Sequence, residues 1–81
     1  MPVHREECGP YLIEASAVQL PDRTNWQPRL TMTRLPSGKA LSKVQSFPGL
    51  RPVFATAKGA TRYAADLGRQ LVDAASPRLR V

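Results

Sequence analysis

His4, Glu6, Glu7 and Cys8 bring three metal-binding residue types into one short stretch of this sequence. Imidazole, carboxylate and thiolate all bind transition metals, so a metal site is the first chemistry to weigh. A closed site needs its ligands at defined spacing and a supporting shell of hydrogen bonds. His-Arg-Glu-Glu-Cys fits no such spacing, and Pro2, Gly9 and Pro10 discourage regular structure around it. Cys8 as a nucleophile would need a base and a dry pocket, and His4 is the only histidine. The carboxylates converge no better. Glu6 and Glu7 are neighbours in sequence, while Asp66 and Asp73 fall on the polar side of an amphipathic segment. Ser37-Gly38-Lys39-Ala40 lacks the rest of a phosphate-cradling P-loop. The sequence therefore predicts no catalytic residue, no metal and no cofactor. It reads as a binding protein.

The charge suggests what is bound. The chain has 12 Lys and Arg against 6 Asp and Glu, a net charge of +6. Residues 1–22 hold Glu6, Glu7, Glu14 and Asp22 against Arg5 alone. From Arg23 to Arg62 come Arg23, Arg29, Arg34, Lys39, Lys43, Arg51, Lys58 and Arg62, with no acid among them. Clustered positive charge attracts polyanions over about a Debye length, ~8–10 Å at physiological salt. Arg29, Thr31 and Thr33 alternate onto one strand face that ends at Arg34, and guanidinium beside hydroxyl suits phosphate oxygens. Lys39 and Lys43 follow on the next turn and strand. Lys58 and Arg62 open a helix, where N–H groups already favour anions.

Arg29, Arg34, Lys39, Lys43, Lys58 and Arg62 are thus the candidate contacts to nucleic acid. With few exposed aromatics they would read phosphate and shape rather than bases. They form one surface only if the helix start lies near the end of the preceding hairpin. Two other readings share this composition. One is a solvated basic face that serves solubility. The other is a homodimeric or partner-binding module, anchored at Trp26 or paired through an exposed edge strand.

The positioning elements are legible from periodicity. Residues 1–10 read as a flexible arm. Tyr11–Leu20 is rich in strand formers, though apolar residues on both faces blur its alternation. Pro21–Asn25 is a turn cluster, and Trp26–Leu35 alternates cleanly, with Trp26, Leu30 and Met32 on one side. Pro28 lacks an N–H, which puts the start of this strand at an edge. Leu35–Lys39 is a turn and Ala40–Phe47 a third strand; Pro48–Pro52 is a connection too rich in breakers for an element.

A helix then begins after an N-cap at Thr56 and runs over Ala57–Ala75. Ala60, Tyr63, Ala64, Leu67, Leu71, Val72 and Ala75 form one stripe, with Lys58, Arg62, Asp66, Arg69, Gln70 and Asp73 opposite. Arg62–Asp66 and Arg69–Asp73 have the spacing of helix-surface ion pairs. Gly68, mid-helix beside the stripe, costs ~1 kcal/mol relative to alanine and signals a close approach to the sheet. Ser76-Pro77 stops the helix before a basic tail at 77–81.

At 81 residues this is one domain, spanning 11–76. Only five aromatics are present, so the core is thin and stability should sit near ~5 kcal/mol. A homodimer is one way to enlarge such a core. The lone Cys8 excludes an intrachain disulfide, and no apolar run approaches the ~18 residues of a membrane span. No signal peptide is apparent, which places the protein in the cytoplasm.

From Trp26-Gln27-Pro28 to Phe54-Ala55-Thr56 and the alanine-rich helix ending Leu71-Val72-Asp73, residues 11–75 resemble a group of small bacterial proteins of unknown function. That resemblance implies a β-β-β-α fold and no known activity. Residues Lys58, Arg62, Ala64, Ala65 and Leu67 also resemble the second helix of double-stranded-RNA-binding domains, where lysines at the helix start touch phosphates. The first helix of those domains has no counterpart here. The expectation is an α+β domain: a three-stranded antiparallel meander with one C-terminal helix on one face. Its predicted core is Ile13, Trp26, Leu30, Met32, Val44, Phe54, Ala60, Tyr63, Ala64, Leu67, Leu71 and Val72.

Overall fold

The computed structural model describes residues 3–36, 41–47, 50–74 and 77–79. Four strands precede one helix: β1 (His4–Cys8), β2 (Tyr11–Gln19), β3 (Trp26–Arg34), β4 (Lys43–Phe47) and α1 (Ala57–Asp73). The strands form one antiparallel sheet in chain order. The α+β class and the C-terminal helix are as expected. The strand count is not, because His4–Cys8, expected to be part of a flexible arm, is an edge strand.

The turn explains how so polar a segment pairs. Cys8 lies opposite Tyr11, leaving Gly9 and Pro10 as a two-residue hairpin loop. Gly9 has φ of 60°, the left-handed value a type II′ turn needs at its first central position. Register follows from that turn, so His4, Glu6 and Cys8 share the face of Ala15, Ile13 and Tyr11. The other faces of β1 carry Arg5 and Glu7, and charge of both signs protects an edge strand from aggregation.

The helix lies mainly across β2 and β3. Ile13, Ala15 and Ala17 of β2 face it, opposite Met32, Leu30 and Pro28 of β3 in register, and all six are buried. The blurred pattern of β2 thereby resolves: Leu12 and Val18 are half-buried on the uncovered face. Thr56 caps the helix, its Oγ1 accepting from the Gly59 N–H at 3.0 Å. Gly59 lies by Phe54, Gly68 sits on Ile13, and Gly9 faces Val72. Hence α1 runs antiparallel to β2, starting near Trp26 and ending over the β1–β2 turn.

Gly68 marks the closest approach. A methyl group there would sit 2.8 Å from Ile13 Cγ2, inside any normal contact. Ile13 is fully buried and has nowhere to move. Gly68→Ala should therefore destabilise by up to about 2 kcal/mol despite its better helix propensity, because an overpacking cost of about 1–3 kcal/mol offsets the ~1 kcal/mol gain. Urea denaturation checks this, and a stabilised variant would contradict the docking described.

Several expected boundaries and core assignments are corrected. The second and third strands end one residue early, at Gln19 and Arg34, and β4 begins only at Lys43. Ala75 lies outside the described residues. Val44 is 62% exposed rather than core, since its register with Thr33 puts it on the uncovered face. Trp26, Phe54, Tyr63, Leu67 and Val72 are half-buried. Trp26 and Phe54 exchange backbone hydrogen bonds of 2.7 and 2.9 Å at the end of the sheet, so each covers the rim of the core. Ala15, Ala17, Phe47, Leu50 and Ala65 complete the buried set. β3 is interior, yet Pro28 falls between the Trp26–Phe54 bridge and the Leu30–Phe47 pair, where the β4 side shows no ladder partner among the described residues.

Candidate functional site

The two flanks of α1 differ, and the difference creates the site. On the β4 flank the chain after the helix folds back over the sheet. Gln45 Nε2 donates to the Arg78 carbonyl at 2.8 Å, the Arg78 guanidinium lies 6.0 Å from the Phe47 ring centre, and Leu79 packs on the core. The expected basic tail therefore begins as a cover for this edge. On the β1 flank Arg69, in the C-terminal half of the helix, ties it to Glu6, and an open groove of about 980 Å³ remains.

Small side chains make that space. Ala17 of β2 forms the floor, while Ala57, Thr61 and Ala65 form the helix wall with Lys58, Arg62, Asp66 and Arg69. Val3 and His4 close the side toward β1. Lys58, Arg62, Ala65 and Arg69 recur at spacings of four, three and four residues, so they share one helix face. Lys58 and Arg69 are eleven residues apart, which places the cations along ~16 Å of helix.

One cation of this row is already engaged. Arg69 Nε donates to Glu6 Oε2 at 2.9 Å, a second donor reaches Glu6 Oε1, and a third reaches Asp66. The expected Arg69–Asp73 and Arg62–Asp66 pairs are not the ones formed. Arg69 reaches back to Asp66 because Glu6 fixes its guanidinium over β1. His4 Nε2 lies 2.8 Å from Glu6 Oε1. Hydrogen bonds from Arg69, aided by His4 and opposed by partial burial, hold the Glu6 carboxyl down to about 2.

That depression makes β1 acid-sensitive. Glu6 titrates at 4.5 when unperturbed and at about 2 here, so the folded state prefers the ionised form. Its contribution to stability is complete above pH 4.5 and is lost as pH falls toward 2. Glu6→Gln should flatten the melting temperature against pH across that window. The carboxyl of Asp22, also lowered by the Thr24 and Asn25 N–H groups in the β2–β3 turn, will still add a slope of the same sign.

The six residues expected to contact nucleic acid do not form one surface. Lys58 and Arg62 line the groove. Arg34 and Lys43 are paired across β3 and β4 at the other end of the sheet. That end lies eight residues along β3 from Trp26, roughly 26 Å, or about three Debye lengths. Arg29 projects from the face opposite the helix, and Lys39 lies outside the described residues. The condition on which a single patch depended is reversed, since the helix starts at the end of the sheet remote from the β3–β4 turn. Sequence reading missed the β1 side of the groove, because Glu6 and Arg69 are 63 residues apart.

The chain matches no family model, no curated protein and no solved structure. What the site does must come from its own chemistry. Among the described residues, no group of three or more His, Cys, Asp or Glu side chains converges as a metal site would. Among the same residues, no helix is long and apolar enough to cross a membrane. Seven of the eight cations between Arg23 and Arg62 are described, and none of these forms a salt bridge among the described residues. Such a groove can hold an anion against two unpaired cations over a small-residue floor.

Proposed function

We propose that this protein is a small, non-catalytic binding module that engages the phosphate backbone of nucleic acid through the groove between β1 and α1. The observation that carries this reading is the pair Lys58 and Arg62, both without an acidic partner among the described residues, on the wall of the open groove of about 980 Å³. They are separated by one helical turn, ~6 Å, so two neighbouring anionic groups can be met at once. Among the described residues no aromatic lines the groove, which favours phosphate contact over base stacking. The resemblance of this helix to that of double-stranded-RNA-binding domains points the same way. Arg34 and Lys43 form a second, separate cationic site, and a cytoplasmic setting would keep Cys8 reduced.

Fluorescence anisotropy with short RNA and DNA oligonucleotides, single-stranded and duplex, tests this across rising salt. A steep loss of affinity between ~50 and ~200 mM salt is expected, with a slope proportional to the phosphates contacted. Undetectable binding at the lowest salt would remove the reading.

A further inference from the structure

Lys58 and Arg62 lie along the groove without an ion-pair partner among the described residues, while Arg69, on the same helix face, spends its donors on Glu6 and Asp66. Two carboxylates on one guanidinium leave that end of the groove net negative. The free groove is thus bipolar, and a strand of phosphates entering past Lys58 and Arg62 would meet repulsion at Arg69. The Arg69 side chain is 43% exposed and Glu6 25%, so solvent screens the pair and a polyanion can reach it.

We propose that Arg69 is a third anion-binding residue of this groove, occupied in the free protein by Glu6 as an internal substitute for the ligand. The inference rests on the phosphate-binding reading above. Glu6 shows what the third position accepts: a two-oxygen anion held by two guanidinium donors, the geometry a phosphate also offers. Entry of a longer anion exchanges Glu6 for phosphate on Arg69 and frees the β1 carboxylate to solvent. The ligand class this predicts is an extended chain of at least three anionic groups rather than a single phosphate.

Binding of a labelled single-stranded oligothymidylate, followed by anisotropy at several salt concentrations, tests the exchange. Glu6→Gln should tighten binding about threefold to tenfold at low salt with the salt slope unchanged, since the exchange already places one phosphate on Arg69 in the wild type. Glu7→Gln is the charge-matched control, since Glu7 lies on β1 but faces away from the helix; it should give a smaller gain and no change of slope. Arg69→Gln should lower the slope by about 0.7, Arg69→Lys should restore it, and the gain from Glu6→Gln should vanish in Glu6→Gln/Arg69→Gln.

Equal effects of Glu6→Gln and Glu7→Gln would overturn the inference while leaving the phosphate-binding reading intact. Should Glu6→Gln not fold, equal slopes for wild type, Arg69→Gln and Arg69→Lys would do the same. No binding by any of the proteins would overturn both.

Discussion

Leu30→Ala is expected to bring the protein to the edge of unfolding at physiological temperature. Leu30 is 2% exposed and sits at the middle of the sheet, opposite Ala15 on β2 and Phe47 on β4, under the helix. Its truncation removes a large apolar side chain and leaves a cavity, at a cost of about 2–5 kcal/mol. A domain with so thin a core has about 5 kcal/mol in total. The thermal midpoint should fall by roughly 10–30 °C, as followed by circular dichroism. Val44→Ala is the counterpart. Val44 lies on the uncovered face and is 62% exposed, so the same kind of deletion should cost within about 0.5 kcal/mol. Equal costs would mean that the helix covers the wrong face.

Lys58→Glu/Arg62→Glu should abolish most of the binding while leaving the fold intact. Both side chains sit on the groove wall, and neither forms an ion pair among the described residues, so reversal breaks no described contact. Each reversal removes one phosphate contact and adds a repulsive charge. Two contacts at about 1.4 kcal/mol each amount to roughly 100-fold at low salt. The salt slope should flatten by about 1.4 on a single strand or 1.8 on a duplex. Glutamate in the first turns also complements the helix dipole, so the melting temperature should hold or rise. Arg34→Glu/Lys43→Glu changes the same charge at the far end of the sheet. Screening over ~26 Å makes the two pairs independent, so that variant should weaken binding far less.

The elements whose signals are local were legible in the sequence. Alternation from Trp26 to Arg34, the Thr56 cap and the three- and four-residue spacing of Ala60, Ala64 and Leu71 gave β3, α1 and the docked face. Gly68 pointed correctly to a close helix–sheet approach, now located at Ile13. β1 was hidden because its pairing depends on a Gly-Pro turn and its polar residues are satisfied from afar. Glu6 looks like a loop residue until Arg69 is brought against it. A hairpin signal was present in Gly9, directly between two segments of strand length, but charge in His4–Glu7 masked it.

The candidate site was legible only residue by residue. The sequence singles out Lys58 and Arg62 because they open a helix, where N–H groups already favour anions. It offers no means of excluding Arg29, Arg34 and Lys43, since their separation depends on which way the helix crosses the sheet. That direction is set by the Trp26–Phe54 bridge, a contact between two half-buried rim residues that no periodicity reveals. The groove likewise comes from what is small, Ala17, Ala57 and Ala65, rather than from any motif.

The most direct measurement is the change in backbone amide chemical shifts when the labelled protein is titrated with a short oligonucleotide at low salt. The largest changes are expected at Lys58, Thr61, Arg62 and Ala65, with His4 and Arg69 following. Changes centred on Arg34 and Lys43, or none at all, would contradict the proposed site.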